Sequence, residues 1–159
     1  MSVIFKAKLK SAKTAIAEKN YDYAYDLCHD LLEMDSSNYN IHILLGVSCQ
    51  NMEKWDEGER VYNKAMTMPK ANILAWQGMC ALYEASKNQQ KYVNALIDLR
   101  ERYLSEESYG RAWETMHKLI LLSEESGDQR RLVSILRELT DAGAYHSLLS
   151  VVDADPAPP

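Results

Sequence analysis

Four histidines, His29, His42, His117 and His146, and three cysteines, Cys28, Cys49 and Cys80, have the widest chemical range of any side chains in this sequence. Acid–base or nucleophilic catalysis needs such a group within reach of a carboxylate or a second base. The spacing supplies no such arrangement. Cys28 and His29 are neighbours, and neighbouring side chains on a helix point about 100° apart, so they form no dyad. His42 falls where a large packing residue is expected. No pair of cysteines stands at the separation that zinc ligands use. Glycine-rich phosphate loops, HExxH and GxSxG are absent. The sequence therefore calls for no catalytic residue, no metal, no cofactor and no small-molecule substrate.

The chain has 159 residues, 47% of them hydrophobic and 26% charged, with a net charge of −5. That suffices for one globular domain hiding about two-thirds of its unfolded surface. The acidic balance argues against nucleic-acid binding, since phosphate contacts need clustered Lys and Arg. Lys6, Lys8, Lys10, Lys13 and Lys19 do gather near the start. A basic amphipathic start resembles a mitochondrial presequence, but those favour Arg and avoid acids; a solvated helix face accounts for it better. No apolar run approaches the ~18 residues of a membrane span, and Val3-Ile4-Phe5 is too short for a signal-peptide core. Three widely separated cysteines fit reduced thiols in a core, and with them an intracellular protein. The aromatics Tyr21, Tyr23, Tyr25, Trp55, Tyr62, Trp76, Tyr83 and Trp113 could stack bases. Without a basic groove around them, most read as packing residues, although at least one of Tyr21, Tyr23 and Tyr25 must be exposed.

The elements that position these residues follow from a repeat. Tyr39 to Gly46 and Ile73 to Cys80 carry the same residue classes at a spacing of 34 residues, with a weaker copy starting at Phe5. A period in this range marks stacked helical hairpins. In the second copy an apolar stripe runs Ile41, Leu44, Leu45, Ser48, Cys49 and Met52, then a polar turn at Glu53-Lys54. A second stripe runs Trp55, Gly58, Val61, Tyr62, Ala65 and Met66, and Pro69 ends it. So short a turn makes the two helices antiparallel, with Gly46 and Gly58 allowing their backbones to approach. The third copy offers Trp76, Met79, Cys80, Leu82 and Tyr83, then a turn at Ser86-Lys87-Asn88. The first offers Leu9, Ala12, Ala15 and Ile16, a turn at Lys19-Asn20, then Ala24, Leu27, Cys28, Leu31 and Leu32. Ser37 or Asn38 is placed to cap the helix that follows. Later stripes run Tyr92, Leu96, Leu99, Tyr103, then Ala112, Trp113, Met116, Leu119, Ile120, then Leu132, Ile135, Leu136, Leu139, stopped by Gly143. The helix between 89 and 106 reads equally as closing the third hairpin or opening a fourth. The expected organisation is repeats over 5–38, 39–72 and 73–106, irregular capping helices over 108–152, and a disordered tail over 153–159.

This register resembles the tetratricopeptide repeat (TPR). That pattern runs from a large residue to Leu-Gly and Tyr on one helix, then Ala, an aromatic and Ala on the next, ending near Pro. The second copy matches with His42, Leu45, Gly46, Cys49, Gly58, Tyr62, Ala65 and Pro69, and the third with Trp76, Met79, Cys80 and Tyr83. The first is degenerate at Lys8, Ser11, Ala12 and Ala15 but good at Ala24, Cys28 and Leu31. The implied fold is all-α, a TPR-like right-handed superhelical solenoid of antiparallel helix hairpins. Several runs also look like the beginning of the large TPR scaffold subunits of the superkiller complex. They are Leu9-Lys10-Ser11-Ala12, Ser37-Asn38-Tyr39-Asn40 with Gly46-Val47, Leu74-Ala75-Trp76-Gln77-Gly78 with Leu82-Tyr83-Glu84, and His117-Lys118-Leu119-Ile120. This second resemblance covers 5–86 well and 108–140 loosely; around 100–110 a helix of that family is lacking. It implies a protein–protein scaffold in cytoplasmic 3′-to-5′ mRNA decay with the exosome, with an RNA helicase and beta-propeller subunits as partners. A generic TPR adaptor or co-chaperone-like module is the alternative.

In TPR proteins the first helices of successive hairpins line a groove. By repeat phase its residues here are Lys6, Leu9, Lys13, Asn40, Ile43, Val47, Gln50, Leu74, Gln77, Ala81 and Glu84. Leu9, Ile43, Val47 and Leu74 give it an apolar base, to be covered by a partner's segment or by the chain's own later helices. Chaperone-binding TPR domains place Lys, Asn, Asn, Lys and Arg at groove positions that here hold Leu9, Lys13, Leu44, Leu74 and Gly78. Leu and Gly cannot make the charge-assisted bonds a carboxylate needs. Chaperone-tail capture is thus not expected.

Overall fold

The 34-residue period sets the element boundaries. In this computed structural model, residues 2–127 are described, together with Arg130, Ser134 and Arg137. Among them the elements are α1 (Val3–Ala17), α2 (Tyr21–Met34), α3 (Tyr39–Asn51), α4 (Trp55–Met66), α5 (Leu74–Ala85), α6 (Gln89–Ser105) and α7 (Tyr109–Glu125). The fold is all-α and TPR-like. Helices α2, α4 and α6 begin 34 residues apart, so α6 follows α5 in the phase of α2 and α4. The expected stripe Leu132, Ile135, Leu136 and Leu139, the Gly143 stop and the tail 153–159 lie outside the described residues.

A shared turn explains the phase. After α1, Asn20 N–H donates to Ala15 C=O and Lys19 N–H to Ile16 C=O. The same pair of bonds recurs as Lys54 to Cys49 with Glu53 to Gln50, Asn88 to Tyr83 with Lys87 to Glu84, and Ser108 to Tyr103 with Glu107 to Leu104. This is the Schellman closure, and it requires a left-handed residue. Lys19, Glu53, Lys87 and Glu107 take that role at φ 59°, 58°, 57° and 55°. A side chain there costs about 1 kcal/mol, since Cβ crowds the following carbonyl. Each of Lys19→Gly, Glu53→Gly and Lys87→Gly should therefore raise stability by about 0.5–1 kcal/mol in urea unfolding. Unchanged midpoints for all three would count against the strain.

The chain divides into two compact units, Met1–Tyr92 and Val93–Pro159, the division falling within α6. In the first unit α1 pairs with α2 and α3 with α4, and successive hairpins stack through α2–α3, α4–α5, α1–α3 and α3–α5. One core cluster joins Phe5, Ala12, Leu27, Cys28, Leu31, Ile41, Leu45 and Cys49. A second gathers Tyr39, Ala65 and Ala75, with Ile43, Met66, Met68, Ala71 and Trp76 against it. In the second unit α6 buries Val93, Ala95, Leu96, Leu99 and Tyr103, and α7 buries Ala112, Met116 and Leu119. The Arg111 guanidinium lies 5.9 Å over the Tyr103 ring.

Three local expectations are corrected. Gly46 does not serve a backbone approach: a Cβ there would lie 2.5 Å from Cζ of Tyr62, so the space it leaves holds the tyrosine ring. Gly58 faces Leu82 of the next hairpin as well as Cys49. Asn38 is the N-cap residue of α3 as expected, but its side chain makes no capping bond; its Nδ2 and the Ser37 hydroxyl donate to the Asp35 carboxylate. Trp113, placed on a buried stripe by its spacing, is 36% exposed.

Candidate protein-binding face

The 34-residue phase makes a lattice on the first unit. Lys6, Asn40 and Leu74 share one register position on α1, α3 and α5; Leu9, Ile43 and Gln77 share the next; Lys13, Val47 and Ala81 the third. Gln50 and Glu84 share a fourth, which Ile16 completes. The sequence reading passed over Ile16, although the same period finds it. Every one of these side chains is exposed or half-buried, and none is enclosed in the core. Leu74 is 46% exposed. Leu9 and Ile43 are anchored, each packing partly against a core cluster.

Beneath this lattice the two layers are locked by Tyr62. Its ring, fully buried, rises from α4 between Gly46 of α3 and Gly78 of α5, and its hydroxyl has no hydrogen-bond partner among the described residues. At the edge, the Tyr39 hydroxyl donates towards the Asn72 carbonyl and Oδ1, both at 2.9 Å, and accepts from Ala75 N–H at 3.1 Å. Asn72 Oδ1 also accepts from Leu74 N–H at 3.0 Å. One phenol at the start of α3 thus fixes the start of α5. Periodicity gave no signal for it, because the loop 67–73 lies outside the helical stripes.

Charge across the face is uneven. On α1, Lys6 and Lys13 make no ion pair among the described residues, whereas Lys8 pairs with Asp30. On α5, the Glu84 carboxylate accepts from the Tyr92 hydroxyl at 3.0 Å. The opposite layer carries polar bridges. Tyr25 donates to Glu57 at 3.0 and 3.1 Å, with Lys54 Nζ 3.5 Å above its ring and His29 Nε2 3.2 Å from Glu57. Burial raises the Tyr25 phenol pKa; the bond to Lys54 opposes that rise and the bond to Glu57 adds to it. Lys91 bonds Glu59 at 2.7 Å and thereby lowers its carboxyl below the usual range.

The residues with catalytic potential are dispersed. His42 is buried with Nδ1 3.0 Å from the Asn38 carbonyl, and His29 and His117 are exposed. His146 lies outside the described residues. All three cysteines are buried thiols outside any disulfide. Burial pushes the Cys28 and Cys49 thiols up to about 12, far from the thiolate a nucleophile needs. Among the described residues no His, Cys, Asp and Glu group could hold a metal, and no helix is long and apolar enough to cross a membrane. Of the three tyrosines near the start of α2, Tyr23 is the exposed one, at 51%.

Fold and lattice together define a TPR-like helical repeat protein. Comparison with known proteins gives the particular likeness. Human superkiller complex protein 3 is 30% identical over 158 residues, covering 85% of this chain. The mouse protein of that name is 29% identical over 158 residues, and tetratricopeptide repeat protein 37 of Xenopus laevis 28% over 159. The chain spans about a tenth of the length of these curated relatives. No protein-family model matches it.

Proposed function

We propose that this chain is a non-catalytic protein–protein interaction scaffold, a TPR subunit or fragment related to the superkiller complex. In this reading it acts in cytoplasmic 3′-to-5′ mRNA decay with the exosome, binding RNA helicase and beta-propeller subunits through the face formed by α1, α3 and α5. The observation that carries the reading is the likeness to superkiller complex protein 3 across 85% of the chain. The packing supports it. Helix α3 packs directly on both α1 and α5, while α2 and α4 meet through the long side chains of Tyr25, Lys54 and Glu57. The more tightly spaced layer of a stack is the inner side of its curve, where a partner's segment is held. The co-chaperone alternative is disfavoured by Leu9, Leu44, Leu74 and Gly78 at the carboxylate-clamp positions.

Co-purification with the full chain tests the proposal. The wild-type chain is expected to retain an RNA helicase and beta-propeller proteins, and Ile43→Asp with Leu74→Asp to lose both while helical circular dichroism is kept. Because Ile43 is half-buried, Leu74→Asp alone provides a second variant at an exposed position. Capture unchanged in both variants, or recovery of an unrelated assembly, would sink it.

A further inference from the structure

We infer that the face takes a protein segment of fixed chemical order, acidic over α1 and apolar over α3 and α5. This rests on reading α1, α3 and α5 as a protein-binding face. Along each register position the residue type changes with the helix that carries it. Lys6 gives way to Asn40 and Leu74, and Lys13 to Val47 and Ala81. Leu9, Ile43 and Gln77 form an apolar-to-amide row between them, and Ile16, Gln50 and Glu84 end in a carboxylate. Both cations of the lattice therefore sit on α1, and its anion sits on α5.

Neighbouring helices pack about 8–10 Å apart, so crossing from α1 to α5 covers about 16–20 Å, roughly six residues of extended chain. A segment of that length meets Lys6 and Lys13 at one end. It then meets Ile43 and Val47, and finally Leu74 and Ala81. Aspartate or glutamate over α1 gains two cations, and α1 itself carries no competing acid. Reversed, the same acid meets Glu84, and both lysines lose their partners. Like charges brought together across an interface select against the wrong orientation more strongly than single pairs raise affinity. Nucleic acid fits this order poorly, since its charge is uniform along the strand and the cations are confined to one helix.

The test uses fluorescence anisotropy with the full chain and two labelled synthetic peptides. One has an aspartate cluster at one end and leucine and valine in its middle; the other has asparagine in place of each aspartate. The acidic peptide is expected to bind about tenfold tighter at low salt, the preference shrinking at physiological ionic strength. Lys6→Gln with Lys13→Gln should abolish the preference, so that the two peptides bind alike. A photo-crosslinker at the acidic end should label α1, and one at the other end α5. Equal binding of the two peptides, still lost in Leu74→Asp, would overturn the charge order while leaving the face itself standing. Absence of binding by either peptide, acidic-end labelling of α5, or lysine-dependent displacement by single-stranded RNA would each overturn the inference. Co-purification of helicase and propeller proteins is read independently.

Discussion

Tyr62→Ala is expected to lower the stability of the first unit by about 3–5 kcal/mol, measured by urea unfolding, the range for truncating a buried aromatic. The ring belongs to no single helix pair. It fills the space left by two glycines, and a Cβ at either Gly46 or Gly78 would lie 2.5 Å from Cζ. Packed on both sides, the ring has nowhere to retreat. Gly78→Ala should therefore destabilise by about 1–3 kcal/mol, overpacking outweighing the ~1 kcal/mol that alanine normally adds to a helix interior. In a Tyr62→Ala background the sign should invert, with Gly78→Ala becoming stabilising. Additive effects would refute the lock. Tyr62→Phe separates shape from polarity. Its hydroxyl is buried without a partner among the described residues, so its removal should leave stability equal or about 1 kcal/mol higher.

The second large effect concerns the seam between hairpins. Tyr39→Phe keeps the ring that packs with Ala65 and Ala75 but removes the hydroxyl shared by Asn72 and Ala75. The buried Ala75 N–H would keep only its long 3.4 Å bond to the Asn72 carbonyl, a loss of about 1–2 kcal/mol. Hydrogen exchange should locate the damage, with the Ala75 amide speeding up and amides of α1 and α2 unaffected. A uniform rise across the first unit would instead mean that Tyr39 acts only through global stability.

Residues that repeat were legible in the sequence, and residues that join the repeats were not. Ile41, Leu45, Cys49, Tyr62, Ala65 and Met79 are buried where their spacing places them, since a helix stripe is a local property. What Gly46 is for could not be read that way. It depends on a ring from α4, a contact made across the stack. Trp113 misled for the complementary reason: a large aromatic beside Ala112 reads as core, although it lies just off the buried stripe. The proposed face is a reading of register alone, and that reading overlooked Ile16. The Tyr25, Lys54 and Glu57 bridge unites two helices through side chains with no periodic pattern.

In the first unit α1 packs against α2 and α3, and α3 against α5, with no packing of α1 on α5. Such a molecule is modular in the way a zip fastener is. Copying residues 39–72 in tandem would insert a further cassette, with Tyr39 and Tyr62 of each copy meeting the next and no distant contact to repair. Lengthening by duplication then demands only that adjacent faces match, so the proposed face would gain reach while its chemistry is kept.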